Sequence, residues 1–351
     1  MRSLVKKILP SNFVYKIYTA KTKLDFLLIK FFSKNNFLSS LYYLIFSREF
    51  DREHRAVLLG RKVYKASLDA QVGSAALLRR NIHRLEKGLI MQPRRAYFGE
   101  AYIQETVSCY NDCKKSKAAG EDELKWAHDV LQHYFECVTD TKKISLAKAD
   151  FIIDALDTTN KCIPYTQSER PKLSIDYDEL NTLFKRRRSV RWFEQKEVPE
   201  DLIKKAVNAA TYAPSACNRQ PYKFVVLRDE NKATEVAKYA MGTTGFAENI
   251  PCLIAIVGDL SAYPAERDRH VIYIDSSLAA MQLMLAFETL ELSTCPINWP
   301  DVEEREQLIS KKLNLEYHER VVMLMAVGYP QEEGGIAYSQ KKKNDLLVKD
   351  L

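Results

Sequence analysis

Apolar and polar positions follow three rhythms along the chain. Over residues 51–157 apolar residues recur at helical spacing among Ala, Leu, Glu, Lys and Arg, with glycine rare. This predicts helices over 61–87, 99–117 and 121–138, punctuated by Met91-Gln92-Pro93 and Ala118-Ala119-Gly120 and packed as a bundle. Residues 158–177, with Pro164, Pro171 and several polar residues, read as a linker. From 178 to 351 short apolar runs at 222–227, 252–257 and 321–327 read as buried strands. They alternate with helical patterns at 199–211, 232–239, 275–290 and 302–313, which gives an α+β or α/β domain. Residues 1–50 have the third rhythm: aromatic residues such as Phe13, Tyr15, Tyr18, Phe26, Phe31 and Phe37 interleave with Lys16, Lys21, Lys23, Lys30 and Lys34. The apolar runs there are broken every few residues, short of the roughly 18 residues that cross a bilayer.

Composition narrows the classes. With 46% apolar and 28% charged residues in 351, the chain can bury a sizeable core and is not disordered. Charge divides unevenly: residues 1–100 hold 20 Lys and Arg against 7 Asp and Glu, the remainder 33 against 39. The basic excess therefore describes a surface or arm that meets something anionic. The 1–50 arm is expected either to pack its apolar stripe on the protein or, as amphipathic helices, to lie at a peripheral membrane surface. Across residues 1–100 a partner protein is the other reading, and nucleic acid is disfavoured for want of a binding motif. Seven scattered cysteines and the lack of a signal-like apolar stretch in residues 1–10 lead to an expected cytoplasmic setting, at the membrane's inner face if the arm binds lipid. Cys109 and Cys113, with His133 and Cys137, have four-residue spacings but no CxxC, so they read as ordinary thiols and no metal site is expected.

Three clusters carry candidate chemistry. Residues 79–88 with Pro93-Arg94-Arg95 form the densest basic cluster, either an anion site near His83 or a solvated helix face paired through Glu86. Arg186-Arg187-Arg188-Ser189-Val190-Arg191-Trp192-Phe193 offers four guanidiniums and a hydroxyl, donors suited to a phosphate or to a ring that becomes anionic. Ala213-Pro214-Ser215-Ala216-Cys217-Asn218-Arg219-Gln220-Pro221 is a polar loop stiffened by two prolines ahead of a strand.

Together the last two clusters resemble the FMN-dependent nitroreductase family. Its pattern is Arg-x-Ser-x-Arg, a helix beginning near a proline, then Ala-Pro-Ser-x-x-Asn-x-Gln-Pro-Tyr-x-Phe entering a strand. Arg187 to Arg191, Pro199 and Ala213 to Phe224 follow it in order, as do Gly258-Asp259 and Gly328-Tyr329-Pro330. The resemblance covers residues 178–345 and implies an α+β FMN-binding fold, a mostly antiparallel sheet flanked by helices, preceded here by an α-helical domain. It implies a homodimer with FMN between subunits: Arg187, Arg188 and Ser189 on the phosphate side, Arg191 as the catalytic cation beside the flavin ring. Pro214, Ser215, Ala216 and Asn218 would reach in from the partner subunit, with Gln220 at the ring edge or the loop itself. Cys295, Pro296 and Ile297 would form a loop along the flavin, and Lys342 or Lys343 would close over the phosphate. The implied reaction passes hydride from NAD(P)H through flavin to a small-molecule acceptor.

This sequence departs from the family pattern in having no glycine in residues 293–298 and little chain for a substrate lid. Those departures favour a rival reading, a flavin-fold binding or scaffold protein with little turnover whose N-terminal half is the functional part. A dehalogenase-like relative is a third.

Overall fold

The computed structural model describes residues 11–69, 74–152 and 161–349, with side chains at Lys16 and from Thr19 onward. Residues 1–10, the side chains of Phe13, Tyr15 and Tyr18, and the 153–160 boundary between helical domain and linker lie outside the described residues. The chain divides into two compact units, residues 1–55 and 56–351.

In the first unit, α1 (Ser11–Phe32) turns at residues 33–35 into α2 (Asn36–Tyr42). Asn35 caps α2 by accepting from Leu38 N at 3.0 Å. Phe32, Tyr42 and Phe46 cluster between the two arms, with ring centroids 5.4–5.8 Å apart.

The expected 61–87 helix is two helices, α3 (Asp51–Asp69) and α4 (Ala75–Leu89). The hydroxyl of Ser74 accepts from Leu77 N and starts α4 as an N-cap, a stop that apolar periodicity alone does not reveal. With α5 (Ile103–Ser116), α6 (Glu121–Cys137) and α7 (Lys142–Asp150), α4 closes a bundle around Leu78, Ile82, Leu85, Val107, Leu131 and Tyr134. Cys109 and Cys113 are buried in it.

Residues 161–176 are irregular apart from one short turn, and α8 (Tyr177–Arg186) opens the second half with an Asp176/Glu179 capping box. There follow α9 (Glu200–Ala210), β1 (Tyr222–Leu227), α10 (Glu230–Ala237), β2 (Cys252–Asp259) and α11 (Val271–Thr289). The rest is β3 (Ser293–Asn298), α12 (Glu303–Leu313) and β4 (Glu319–Gly328). The four strands run in the order β1-β2-β4-β3 and every pairing is antiparallel, so the fold is α+β. On β2, Leu253, Ala255 and Val257 face α10 and α12, while Ile254 and Ile256 face α9 and α11. Burial on both faces is why β2 and β4 read as unbroken apolar runs.

Residues 293–298, expected as a loop, form the edge strand β3. Its polar residues and Pro296 obscure the strand pattern, and an edge position tolerates a residue with no N–H to donate. α11 meets the length and hydropathy of a membrane-crossing helix, the only such helix among the described residues. Here it is the core helix of this half, with Ile272, Ala280, Leu283 and Phe287 buried and even Asp275 and Glu288 enclosed.

The helical segment is packed onto this half. Ala56 and Val57 of α3 join Leu260, Tyr263 and Ile272 in one apolar cluster, and Gly60 lets the helix approach the Leu260 backbone. A Cβ at Gly60 would lie 2.8 Å from the Leu260 carbonyl carbon. Gly60→Val is therefore expected to cost roughly 1–3 kcal/mol through overpacking, whereas Gly335→Ala, in open space, changes little. Thermal melts of the two variants check this, and equal melting temperatures would contradict the packing.

Candidate functional site

The site is built along β3. After α8, whose C-cap is Arg187, residues 188–193 run beside the edge strand instead of entering solvent. Val190 N donates to Thr294 O at 3.0 Å, and Ser189 forms a parallel bridge with Thr294. The strip is pinned further along, where Phe193 N donates to Asn249 Oδ1 at 2.6 Å and Glu194 N to Tyr329 O at 2.9 Å. Buried Val190 and Phe193 anchor it from below and leave Arg191 and Trp192 exposed. Arg191 stands 5.7 Å from the Phe246 ring.

Two polar atoms beside this strip are buried without a hydrogen-bond partner: Nε of Arg187 and Oγ1 of Thr294. A buried donor left open is costly, and an acceptor-rich ligand beside the strip would satisfy it. The neighbouring Cys295 thiol is pushed up by burial, against the pull of Arg191 and Arg187, so it stays protonated at neutral pH and is no thiolate nucleophile. Beneath lies Glu288, a residue that sequence reasoning missed. Burial raises its carboxyl above the ordinary range, opposed by a hydrogen bond from Ser293 Oγ at 3.2 Å and by Arg186 and Arg187.

Arg188 turns away from the others and donates to the Ala337 and Tyr338 carbonyls, which ties the C-terminal segment to the strip. Lys342 and Lys343 follow in that segment, both exposed.

The second group is the loop after α9. Cys217, Asn218 and Gln220 all adopt left-handed backbone, with φ of 54°, 52° and 48°. Only asparagine among these favours that region, so strain falls on Cys217 and Gln220 within a span of four residues. It is held in place by Asp275, whose Oδ2 accepts from Ala216 N at 2.9 Å and from Tyr263 OH at 3.3 Å. Ser215 Oγ accepts from Gln220 N at 2.7 Å, and Gln220 Nε2 donates to Asn218 Oδ1 at 3.1 Å, so Gln220 bonds the loop itself. α4 packs on Ala216–Asn218, and between α4 and the loop lies a cavity of about 240 Å³ lined in part by Arg79, Arg219 and Tyr222. Arg79 is bound there by Glu123 at 3.1 Å. In the same basic cluster Arg84 stacks 3.6 Å from the Tyr102 ring centroid and Glu86 accepts from Trp126 and pairs with His83, so Arg79, His83 and Arg84 are each engaged by protein groups.

The structure thus brings Arg187, Ser189 and Arg191 together with Cys295 through β3, and gathers Pro214, Ser215, Ala216, Asn218 and Gln220 separately over Asp275. Among the described residues no hydrogen bond, ion pair or ring contact joins the two groups within one chain. Asp275, Glu288 and Asn249 carried no local motif. Only the long-range packing reveals their roles.

An antiparallel α+β sheet with an arginine strip on its edge strand defines an oxidoreductase of nitroreductase type. Residues 184–329 match the nitroreductase family, and the chain belongs to it. It is 30% identical over 154 residues to the "Putative NADH dehydrogenase/NAD(P)H nitroreductase" of Methanothermobacter thermautotrophicus, spanning 43% of this chain and 77% of that protein. Human iodotyrosine deiodinase 1 is 25% identical over 212 residues, 52% of this chain and 71% of the other. Of solved structures, a nitroreductase family protein from Streptococcus pneumoniae aligns with a TM-score of 0.43 and 25% identity, over 49% of this chain and 100% of that one.

Proposed function

We propose that the protein is an FMN-dependent oxidoreductase that passes hydride from NAD(P)H to a small-molecule acceptor, working as a homodimer. The observation that carries this is the open, buried Nε of Arg187 beside Ser189, Arg191 and the unpartnered Thr294 hydroxyl. The donor set fits the cofactor: cations and hydroxyls for a phosphate, and a fixed guanidinium for a ring that gains negative charge. FMN, when bound, supplies a two-electron carrier that accepts hydride and gives it up again.

The protein's own residues hold and bias that carrier. Arg187 and Ser189 would grip its phosphate. Arg191, on a strip anchored by Val190 and Phe193, would hold positive charge in place before the reaction, so little reorganisation opposes the transfer. The strained 215–220 loop would close the other subunit's site, which accounts for a rigid polar loop that, among the described residues, no hydrogen bond, ion pair or ring contact joins to the Arg187–Arg191 strip of its own chain. With Cys295 protonated, the site offers no covalent alternative at that position.

The test is an anaerobic absorbance titration of purified protein, first with NADPH and NADH, then with a nitroarene or an iodotyrosine as acceptor. Bleaching by nicotinamide and recovery on one acceptor are expected, and the acceptor that works separates a nitroreductase from a deiodinase. A flavin spectrum that never bleaches would overturn turnover and leave the scaffold reading. Absence of flavin after FMN is supplied would overturn the cofactor assignment.

A further inference from the structure

Residues 19–50 contain an apolar surface that the reaction does not use. Leu24, Leu27, Phe31, Phe37, Leu44 and Ile45 are between 51% and 76% exposed. Single exposed apolar residues are ordinary, but a dense set on one helical hairpin marks a surface that meets an apolar phase. The hairpin is already shaped without that phase. The Phe32, Tyr42 and Phe46 rings pack on one another across it, the Asn35 cap fixes its turn, and Tyr42 OH donates to Asp25 at 3.4 Å.

Charge identifies the phase. Lys16, Lys23 and Lys30 stand seven residues apart and Lys34 one turn beyond, so at about 100° per residue they form one ridge along α1 and its end. Leu24, Leu27, Leu28 and Phe31, at i, i+3, i+4 and i+7, form an apolar strip alongside that ridge, centred roughly 85° further round the helix. Lys34 lies 5.0 Å from the Phe31 ring, so cation and aromatic meet at the margin between ridge and strip. From residue 11 to 48 there are six Lys and Arg and a single acidic residue, Asp25. A protein groove for an apolar helix would not require that one-sided charge, whereas an interface of acyl chains under anionic headgroups matches both features. No helix in this unit is long and apolar enough to cross a bilayer among the described residues, so the hairpin would lie in the interface plane.

We propose that the N-terminal hairpin docks the protein onto an anionic lipid membrane, with α1 and α2 embedding their apolar side chains and the lysine ridge lying at headgroup level. The proposal is independent of the flavin reading.

The full-length protein is sedimented with phosphatidylcholine vesicles with and without phosphatidylserine. Binding is expected to rise at least about tenfold with the anionic lipid and to fall as salt is raised, since each lysine near the surface strengthens binding roughly fivefold. Lys23→Glu/Lys30→Glu/Lys34→Glu should lower it by more than about a hundredfold on the same reasoning. Leu24→Ser/Phe37→Ser/Leu44→Ser should abolish it, with an unchanged circular dichroism spectrum of the whole chain showing that the fold survives. Equal binding to both vesicles, or an unaffected charge-reversal variant, overturns the proposal. So does an oligomer in lipid-free buffer that the serine variant dissociates, because the surface would then serve a protein interface.

Discussion

Arg187→Ala combined with Arg191→Ala is expected to give a folded protein that no longer retains FMN. Each replacement removes a charged donor, and hydrogen bonds to charged groups contribute about 1.5–3 kcal/mol each. The pair should therefore weaken FMN binding by roughly 10²- to 10⁴-fold, read by fluorescence titration of the apoprotein. The two arginines can also be told apart. Arg187→Lys keeps the charge but loses the buried Nε, so it should weaken binding without abolishing it. Arg191→Ala alone should lower the rate of flavin reduction more than it lowers affinity, because its proposed work is on charge that develops during transfer. Arg188→Ala is the comparison: its guanidinium is occupied by the Ala337 and Tyr338 carbonyls, and its loss should mainly loosen the C-terminal segment. A doubly substituted protein that stays yellow with an unchanged reduction rate would remove the arginine strip from the site.

What could be read in advance follows a physical division. β2 and β4 are buried on both faces, so their apolar runs are continuous and their positions were evident. β3 sits at the edge with one side against residues 189–190, and its Ser293, Thr294 and Pro296 conceal it. The arginine and loop motifs were legible because their residues are consecutive. Asp275 and Glu288 were not, since each acts on a segment far away in sequence: Asp275 on Ala216, and Glu288 on Arg186. The start of α4 is marked by one capping serine inside a long helical pattern. In the N-terminal arm composition leaned towards packing over membrane contact, because aromatic stripes are more often core, whereas the exposure of its leucines and phenylalanines supports the second.

Arg320→Met is expected to produce the largest loss of stability. Arg320 on β4 is 2% exposed, and it faces two carboxylates, Asp301 Oδ1 at 2.7 Å from Nη2 and Glu306 Oε2 at 3.4 Å from Nε. Burial opposes its charge, yet Glu306 and Asp301 outweigh that and hold the guanidinium firmly protonated. Glu306 is itself 1% exposed and also accepts from Trp299 Nε1 at 2.6 Å, so α12 is tied to the sheet through one buried carboxylate. Removing the arginine leaves that carboxylate enclosed without its counter-charge, a change that costs about 3–5 kcal/mol in other buried pairs. At roughly 2–4 °C per kcal/mol for a domain of this size, the melting temperature should fall by on the order of 10 °C. The reverse defect supplies the control. Arg320→Met with Glu306→Gln removes both buried charges and keeps an acceptor for Trp299, so it should recover most of the loss, because a pair replaced whole is often close to neutral. If the double variant melts as low as the single one, the cost lies in packing around Arg320, and the ion pair does not hold α12 to the sheet.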